Sequence, residues 1–356
     1  MDRILGLLRR NQKKLMKLEN VVGVGMGYKI VQGRFTNKPA IMVLVKKKLP
    51  EKELKSRHII PTALGEVPTD VLEVGEIRLL ASRIEGSRQA APGTGSSDGK
   101  NNVIRTARAR PARPGMSIGH YKVTAGTFGA VVKDEKTGEL LILSNNHVLA
   151  NATNGRDGKS AVGDPILQPG SYDGGTASDV IAYLERFVPI EKDAEESRCP
   201  VARNVENVSN IILGVVKPDY RVSLVKKASS HNLIDAAVAK PVKAQFIEPD
   251  IFELGKINGI AEPRIGLQVK KSGRTSGVTT AEIKALDVVL RVMLGPSEEA
   301  TFYEQILTGP MAQPGDSGSL VVDDGMNAVG LLFAGSDRAT IINPIANVMK
   351  LLKVTF

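Results

Sequence analysis

Eight short apolar runs follow one another after Met116, and they constrain the fold of this chain more than any other feature. Residues typical of turns separate the runs, and no regular helical pattern lies between most of them. Such a succession of short strands favours antiparallel barrels or a sandwich. The composition agrees, because the 356 residues include 35 glycines, no Trp and only 4% aromatic residues. In chain order the runs are GTFGAVV, ELLILS, SDVIAYL, DAAVAKP, GLQVKKSG, ALDVVLRVML, SGSLVV and NAVGLLFAG.

The residues before Met116 predict a small domain followed by a linker. Apolar residues in 4–18 recur with helical spacing, and two strand-like runs follow at 20–30 and 40–45. Glycine, serine, proline and arginine then dominate, as is typical of flexible linkers. We expect a basic α+β module over 1–84, a flexible linker over 85–115 and a β-rich domain over 116–356. This last domain includes a polar, partly helical insert at about 186–232 and a C-terminal helix.

A GxGxG run at Gly23, Gly25 and Gly27 has the composition of a phosphate-binding turn. Phosphate binding would require a helix to begin directly after the glycines, so that its free N–H groups face the anion. Residues 28–31 continue as a strand instead. We therefore expect these glycines to relieve crowding along that strand.

Charge and cysteine content bear on partners and on the compartment. Residues 1–57 hold 15 Lys or Arg against 4 Asp or Glu, which suits an anionic partner or a solvated basic face. The module is also a candidate for self-association into a homo-oligomer. With a single cysteine, no intramolecular disulfide can form, and no apolar run approaches the ~18 residues of a membrane span. The apolar run near the start is too short for a signal peptide, so we expect a cytoplasmic protein without a membrane span.

The segment PGDSGSLVV, residues 314–322, has the features of a nucleophilic serine. A serine hydroxyl is a weak nucleophile that needs a neighbouring base and donors for an oxyanion. Glycines on both sides of Ser317 permit a sharp turn, and an apolar strand follows directly. We predict Ser317 as the nucleophile and the N–H groups of Gly315 and Ser317 as the oxyanion hole.

Two further segments supply a candidate base and its partner. In ILSNNHVLA, residues 142–150, an apolar strand delivers His147 at its end. In NLIDAAVAKP, residues 232–241, Asp235 begins an apolar run, where a carboxylate is costly to bury unless it accepts hydrogen bonds. An imidazole N–H would satisfy it and would set the tautomer of the base. Asp179 in ASDVIAYL is the competing candidate, since it also begins an apolar run.

These motifs, in the order His, Asp, Ser, resemble those of the chymotrypsin-fold serine proteases over residues 116–356. VKKSGRTSGVTTAEI, residues 269–283, is similar to the start of the second barrel in the streptogrisin and α-lytic group. NAVGLLFAG and the later INPI with its helix resemble the end of that barrel in HtrA-type proteases. The resemblance implies two six-stranded antiparallel β-barrels, joined here to the small α+β module. It also implies that His147 is general base and then acid, that Asp235 orients it, and that Ser317 attacks.

The same resemblance implies roles for residues around the nucleophile. Asp316 is the carboxylate that such proteases bury beside the serine, and Lys271 or Arg274 is its candidate counter-ion, so that no activating cleavage is required. Met311 stands six residues before Ser317, which speaks against a pocket for Arg or Lys and favours an apolar or small side chain. The wall of this pocket would be Phe333, Ala334 and Gly335, along which a substrate backbone would pair as an added strand.

Three functions follow as expectations. The first is an active serine endopeptidase that acts on proteins or peptides and needs neither a metal nor a cofactor. The second is a dormant, binding-only protein that keeps the protease fold and uses the basic module to engage an anionic partner. The third is a self-processing protease in which residues 1–114 act as a pro-segment.

Overall fold

The computed structural model describes residues 2–32, 34–80, 105–196, 199–227 and 231–356. Within these ranges the chain is mainly β, with a small N-terminal part made of one helix and a sheet, which confirms the predicted fold class. Most of the expected linker, residues 85–104, lies outside the described residues.

The N-terminal part folds one amphipathic helix against a sheet. Leu8 and Leu15 of the helix are buried against Val24, Ile41 and other strand side chains, as the helical spacing predicted. The elements are α1 (Asp2–Leu15), β1 (Val21–Val31), β2 (Arg34–Val45), β3 (Ala63–Leu64), β4 (Val67–Glu73) and β5 (Arg78–Leu79). Strand β2 is antiparallel to β1 and parallel to β4.

The middle of the chain builds a sheet of eight described strands. Their order is β22-β8-β9-β14-β11-β10-β6-β7, the first of these coming from the end of the chain. The elements are β6 (Ser117–His120), β7 (Gly126–Thr127), β8 (Ala130–Asp134), β9 (Leu140–Ser144), α2 (Asn146–Leu149), β10 (Pro165–Leu167), β11 (Val180–Phe187), β12 (Ala194–Glu196), α3 (Pro200–Val216), β13 (Val225–Lys227) and β14 (Ala237–Pro241). Strands β12 and β13 pair only with each other, and with α3 they make up the described part of the expected insert.

The last third contributes most of a second, larger sheet. Its strands and closing helix are β15 (Gly259–Ile260), β16 (Gln268–Gly273), β17 (Gly277–Gly295), β18 (Glu298–Thr308), β19 (Leu320–Asp323), β20 (Asn327–Gly335), β21 (Thr340–Pro344), α4 (Ile345–Leu352) and β22 (Val354–Thr355). Helix α4 buries Ile345, Val348 and Leu352, three of the four residues whose spacing predicted it.

The N-terminal strands belong to this second sheet. Its main path is β16-β19-β20-β21-β18-β17-β1-β2-β4-β3, because β1 pairs antiparallel with β17. Met42 and Leu44 of β2 therefore pack in one core with Leu290 and Phe302. The sheet has twelve described strands instead of the six expected for a barrel, since a small module with apolar strands buries more surface by joining a neighbouring sheet than by standing alone.

The three glycines of the GxGxG run lie where β1 approaches β17. A Cβ on Gly23 would stand 2.8 Å from Leu290 Cβ, and one on Gly27 would stand 2.9 Å from the Lys284 carbonyl oxygen. Side chains cannot fit at such distances. The structure thus explains these glycines by close strand contact, as the sequence predicted.

The expected flexible linker is wrong for residues 105–115. Arg105 is buried, and its guanidinium donates to the Gly115 carbonyl at 3.2 Å, to Ser272 Oγ at 2.8 Å and to the Gly273 carbonyl at 3.1 Å. It also pairs with Glu253 at 2.5 Å. Arg105, one of the arginines that gave this stretch a linker-like composition, is therefore an anchor to the β-rich part of the chain after residue 115. Among the described helices, none is long and apolar enough to cross a membrane.

Candidate active site

His147 lies on α2, directly after strand β9. The side-chain amide of Asn146, one residue earlier, donates to the carbonyls of Thr153 at 3.0 Å and Val188 at 2.7 Å. These two bonds anchor the turn between β9 and α2. The imidazole is consequently held in a buried position, with 2% of the side chain exposed.

Asp235 is the carboxylate that the structure brings to His147. The two atoms His147 Nδ1 and Asp235 Oδ2 are 2.5 Å apart, and the His147 backbone N–H donates to Asp235 Oδ1 at 3.2 Å. Asp179, the competing candidate, pairs with Arg108 at 3.0 Å. When Nδ1–H donates to a carboxylate, Nε2 keeps the lone pair that a general base needs.

Two asparagines hold the backbone of Asp235. Asn343 on β21 accepts the Asp235 N–H at 3.1 Å and donates to the Asp235 carbonyl at 3.1 Å, while Asn145 donates to that carbonyl at 2.7 Å. Because Asn145 follows β9 and Asn343 lies on β21, both sheets position the carboxylate. Sequence analysis missed both residues, although the adjacent His147 motif and the INPI segment contain them.

Ser317 occupies a turn that depends on glycine at two positions. Gly315 has φ of +101° and Gly318 has φ of +93°, a region that residues with side chains rarely adopt. A Cβ on Gly318 would also collide with Ser144 Oγ. The Ser317 hydroxyl is fully buried and donates to the Phe333 carbonyl at 3.1 Å.

The turns that carry His147 and Ser317 meet at Gly126. A Cβ on Gly126 would collide with the side chain of Val148, which follows His147, and would stand 3.0 Å from the Ser317 carbonyl oxygen. His147 Nε2 is buried and has no hydrogen-bond partner among the described residues. In this conformation the Ser317 hydroxyl donates to the Phe333 carbonyl and not to His147.

Asp316 is buried next to Ser317 in the chain and is held by one cation and several donors. Lys271 Nζ lies 3.3 Å from Asp316 Oδ2, and both side chains are fully buried. Burial lowers the pKa of Lys271, and the Asp316 charge opposes this effect. The other donors to the carboxylate are the N–H groups of Gln313 (2.9 Å), Thr275 (2.9 Å) and Ser276 (3.0 Å) and the Ser276 hydroxyl (2.5 Å).

Arg274, the alternative counter-ion, faces a different carboxylate. Its Nε donates to Asp173 Oδ2 at 2.8 Å and its Nη2 donates to Asp173 Oδ1, while the guanidinium lies 5.1 Å from the centre of the Tyr172 ring. This fork-like pairing uses the planar geometry of arginine. Arg274 thus neutralises Asp173 rather than Asp316.

The expected pocket residues surround a segment from the N-terminal part. Met311 is buried in an apolar cluster that also contains Leu80 and Leu332. Strand β5 pairs antiparallel with β20, so that Leu79 stands opposite Ala334 and Arg78 opposite Gly335. Leu80 is a residue of this site that sequence analysis missed, because only the strand pairing reveals it.

Leu80 also bonds to main-chain groups close to Ser317. Its N–H donates to the Phe333 carbonyl at 3.3 Å, and its carbonyl accepts from the Gly315 N–H at 2.7 Å. Gly315 is one of the two residues predicted to form the oxyanion hole.

No group of three or more His, Cys, Asp or Glu in the described ranges is placed to hold a metal ion.

A protein-family model matches the N-terminal part of the chain. The NARROW LEAF 1 N-terminal domain matches residues 4–74, which is a minor part of the chain. No curated protein matches the sequence.

Solved structures resemble about two thirds of the chain. Protease A of Thermobifida fusca is 14% identical, with 68% of this chain and 98% of that one aligned and a TM-score of 0.43. The Nocardiopsis protease is 14% identical over 68% and 98% of the two chains, with a TM-score of 0.42. A glutamic acid-specific serine protease is 16% identical over 68% and 99%, also with a TM-score of 0.42. These three proteins are named as proteases, and their likeness to this chain amounts to 14–16% identity with TM-scores below 0.5.

Proposed function

We propose that this chain is a serine endopeptidase that cleaves peptide bonds through an acyl-enzyme. The observation that carries the proposal is the buried pair of His147 Nδ1 and Asp235 Oδ2, 2.5 Å apart, on a turn that meets the glycine turn of Ser317 at Gly126. A buried carboxylate on a histidine whose other nitrogen is unpartnered is an arrangement suited to a general base.

In the proposed reaction, His147 Nε2 removes the Ser317 hydroxyl proton as Oγ attacks the carbonyl carbon of a substrate. Asp235 orients the imidazole and stabilises the imidazolium that forms. The N–H groups of Gly315 and Ser317 bind the oxyanion, and His147 then delivers the proton to the leaving amine. Water enters, is deprotonated by His147 and releases the acyl group from Ser317.

Asp316 and Lys271 support this chemistry from behind the turn. Four donors and the buried ammonium hold the carboxylate, and its neighbours in the chain are the Gly315 and Ser317 groups that act on substrate. We propose that Lys271 is the counter-ion that keeps this turn in place without an activating N-terminus. Partners of the basic N-terminal part, whether anionic molecules or other copies of the chain, stay predictions.

The test is labelling with a small fluorophosphonate probe, which reacts appreciably only with a serine activated by its base and oxyanion hole. We expect labelling, whether it is seen in the natural chain or only once the Leu80 contact is removed, to disappear when Ser317→Ala or His147→Ala is introduced. Ser178→Ala, which removes an exposed hydroxyl near Thr176, is the matched control and should label like the natural chain.

The contact of Leu80 with Gly315 and Phe333 requires one more variant in the same experiment. Leu80→Asp places a charge in the apolar cluster and should displace the segment from the Ser317 turn. If neither the natural chain nor Leu80→Asp is labelled while both remain folded by circular dichroism, the chain is a binding-only protein and the proposal is wrong.

A further inference from the structure

The segment 76–80 lies against the candidate active site in the way a bound peptide would. Strand β5 adds to the edge of β20, with Arg78 opposite Gly335 and Leu79 opposite Ala334. Extended peptides bind sheet edges by this kind of strand addition, in which main-chain hydrogen bonds give affinity and side-chain pockets give specificity. The hydrogen bonds and the burial of Leu80 show how closely this segment resembles a bound substrate.

Leu80 meets the active site through three separate groups. Its N–H is bound by the Phe333 carbonyl at 3.3 Å, its carbonyl oxygen is bound by the Gly315 N–H at 2.7 Å, and its side chain is 6% exposed. The Gly315 N–H is the donor proposed for the oxyanion, so the Leu80 carbonyl stands where the carbonyl of a substrate would be attacked. Such a carbonyl is polarised and lies beside the Ser317 turn.

Apolar neighbours and the space left by a glycine make the surroundings of the Leu80 side chain suited to leucine. Leu80 shares an apolar cluster with Met311, Val329 and Leu332. Gly335 leaves room on one side, since Leu80 Cδ1 lies 3.4 Å from where a Cβ on Gly335 would stand. An aliphatic side chain fills this space, whereas a charged one would be buried without a partner.

Contacts before Leu80 keep the segment in this register. The Ser336 hydroxyl donates to the Val74 carbonyl at 2.5 Å, and the Met293 N–H donates to the Ile77 carbonyl at 3.0 Å. Ile77 is buried in the core shared by the N-terminal strands and β17. The position of Leu80 is therefore set by the fold and not by the tip of a free loop.

We propose that the chain is its own substrate and that Ser317 cleaves the peptide bond after Leu80. This inference rests on the proposed endopeptidase function. Ser317 Oγ, after rotating to His147, attacks the Leu80 carbonyl carbon, and its proton passes through His147 to the peptide nitrogen of Ala81 as the Leu80–Ala81 bond breaks. Water then hydrolyses the Leu80 ester, leaving a Leu80 carboxylate and restoring the Ser317 hydroxyl.

The N-terminal fragment stays bound after the cut. Strand β1 remains paired with β17, and Arg291 of β17 donates to the carbonyls of Met16 at 3.0 Å and Val21 at 2.6 Å. The two fragments therefore separate only under denaturing conditions and elute together from a size-exclusion column. The cleaved segment still lies against Gly315 and Phe333. Because Leu80 fills the apolar cluster there, the preferred residue before the cut is leucine or a similar aliphatic.

The experiment follows the purified full-length chain by denaturing intact-mass spectrometry and N-terminal sequencing of the fragments. We expect fragments 1–80 and 81–356 from the natural chain and a single intact species from Ser317→Ala. Leu80→Met, which keeps an aliphatic side chain of similar volume, should cut within about tenfold of the natural rate. Leu80→Asp should slow cutting at this bond by about 100-fold or more.

Two controls separate the proposal from simpler outcomes. Ile59→Asp puts the same charge on an exposed part of the N-terminal region and should leave the cut unchanged. The rate should be independent of protein concentration over a hundredfold range, and added natural chain should leave Ser317→Ala intact. A rate that rises with concentration would contradict an intramolecular cut.

Fluorophosphonate labelling distinguishes failure of this proposal from failure of the proposed function. If Leu80→Asp is labelled on Ser317 but the natural chain stays uncut, the chain is a protease and Leu80 is an inhibitor, which overturns self-cleavage. A cut at a different bond also overturns it. If no variant is labelled and none is cut, the endopeptidase proposal itself has failed.

Discussion

Replacing Lys271 with methionine tests whether its ammonium supports the turn that carries Ser317. The side chains of Lys271 and Asp316 are both fully buried, with Nζ and Oδ2 3.3 Å apart. Removing one partner of such a pair leaves an uncompensated charge inside the protein, at a cost of about 3–5 kcal/mol. Methionine keeps most of the volume of lysine, so the loss reports charge rather than packing.

The hydrogen bonds at Asp316 place the expected loss at the lower end of that range. Three backbone N–H groups and the Ser276 hydroxyl still bind the carboxylate when the ammonium is absent. We therefore expect Lys271→Met to lower the free energy of unfolding by about 3 kcal/mol, or the midpoint of thermal unfolding by roughly 6 °C in a chain of this size. The double variant Lys271→Met/Asp316→Asn should recover part of the loss, because it removes the unpaired charge.

The measurement is urea unfolding followed by circular dichroism, with every variant built on Ser317→Ala so that self-cleavage does not intervene. Lys270→Met is the matched control, since Lys270 Nζ lies 3.8 Å from Asp324 Oδ1 and the Asp324 side chain is 85% exposed. An exposed pair of this kind contributes about 0–1 kcal/mol. The reasoning is refuted if Lys271→Met costs no more than Lys270→Met.

Two further predictions concern Gly315 and the partly buried Asp287. Gly315→Ala should lower the rate of peptide cleavage by about 10²–10³-fold, because alanine disfavours φ of +101° and its Cβ would collide with Thr275 Oγ1; Gly138→Ala, at φ of +71° in open space, should leave the rate unchanged, and equal rates for the two variants would contradict the assignment. Burial, and secondarily the charge of Glu304, raise the pKa of Asp287 in the folded protein. Its contribution to stability is thus full below the pKa of an unfolded aspartate and is lost as the pH rises through the folded pKa. Asp287→Asn should accordingly unfold at a higher temperature than the natural chain at pH 7.5, with the difference disappearing near pH 3.5; a difference that does not depend on pH would contradict this account.

The local motifs carried most of what could be predicted about the candidate site. Ser317 lies in a glycine-containing turn before an apolar strand, and His147 comes directly after an apolar strand. Both turns can therefore be recognised from residues within a few positions of Ser317 and His147. The choice between Lys271 and Arg274 had no such local signal. Both are basic residues on one hairpin, and only the positions of Asp316 and Asp173 separate them.

The composition of a segment was a poor guide where distant partners decided its structure. Arg105, in a stretch rich in glycine, proline and arginine, is buried because Ser272 and Glu253 bind its guanidinium. Asn343 likewise fixes Asp235 from a strand 108 residues further along the chain. No periodicity in the sequence reports contacts of this kind.

The sequence by itself determined that the chain is mainly β, that an amphipathic helix begins it and that glycine turns surround Ser317, because these properties depend on apolar periodicity and on backbone freedom at single residues. Only the tertiary structure decided that β1 pairs with β17 and that Leu80 lies against Gly315 and Phe333. Strand pairing uses main-chain N–H and C=O groups that every residue carries, so its partners are selected by packing across the whole fold. The proposed identity of the first substrate follows from that pairing.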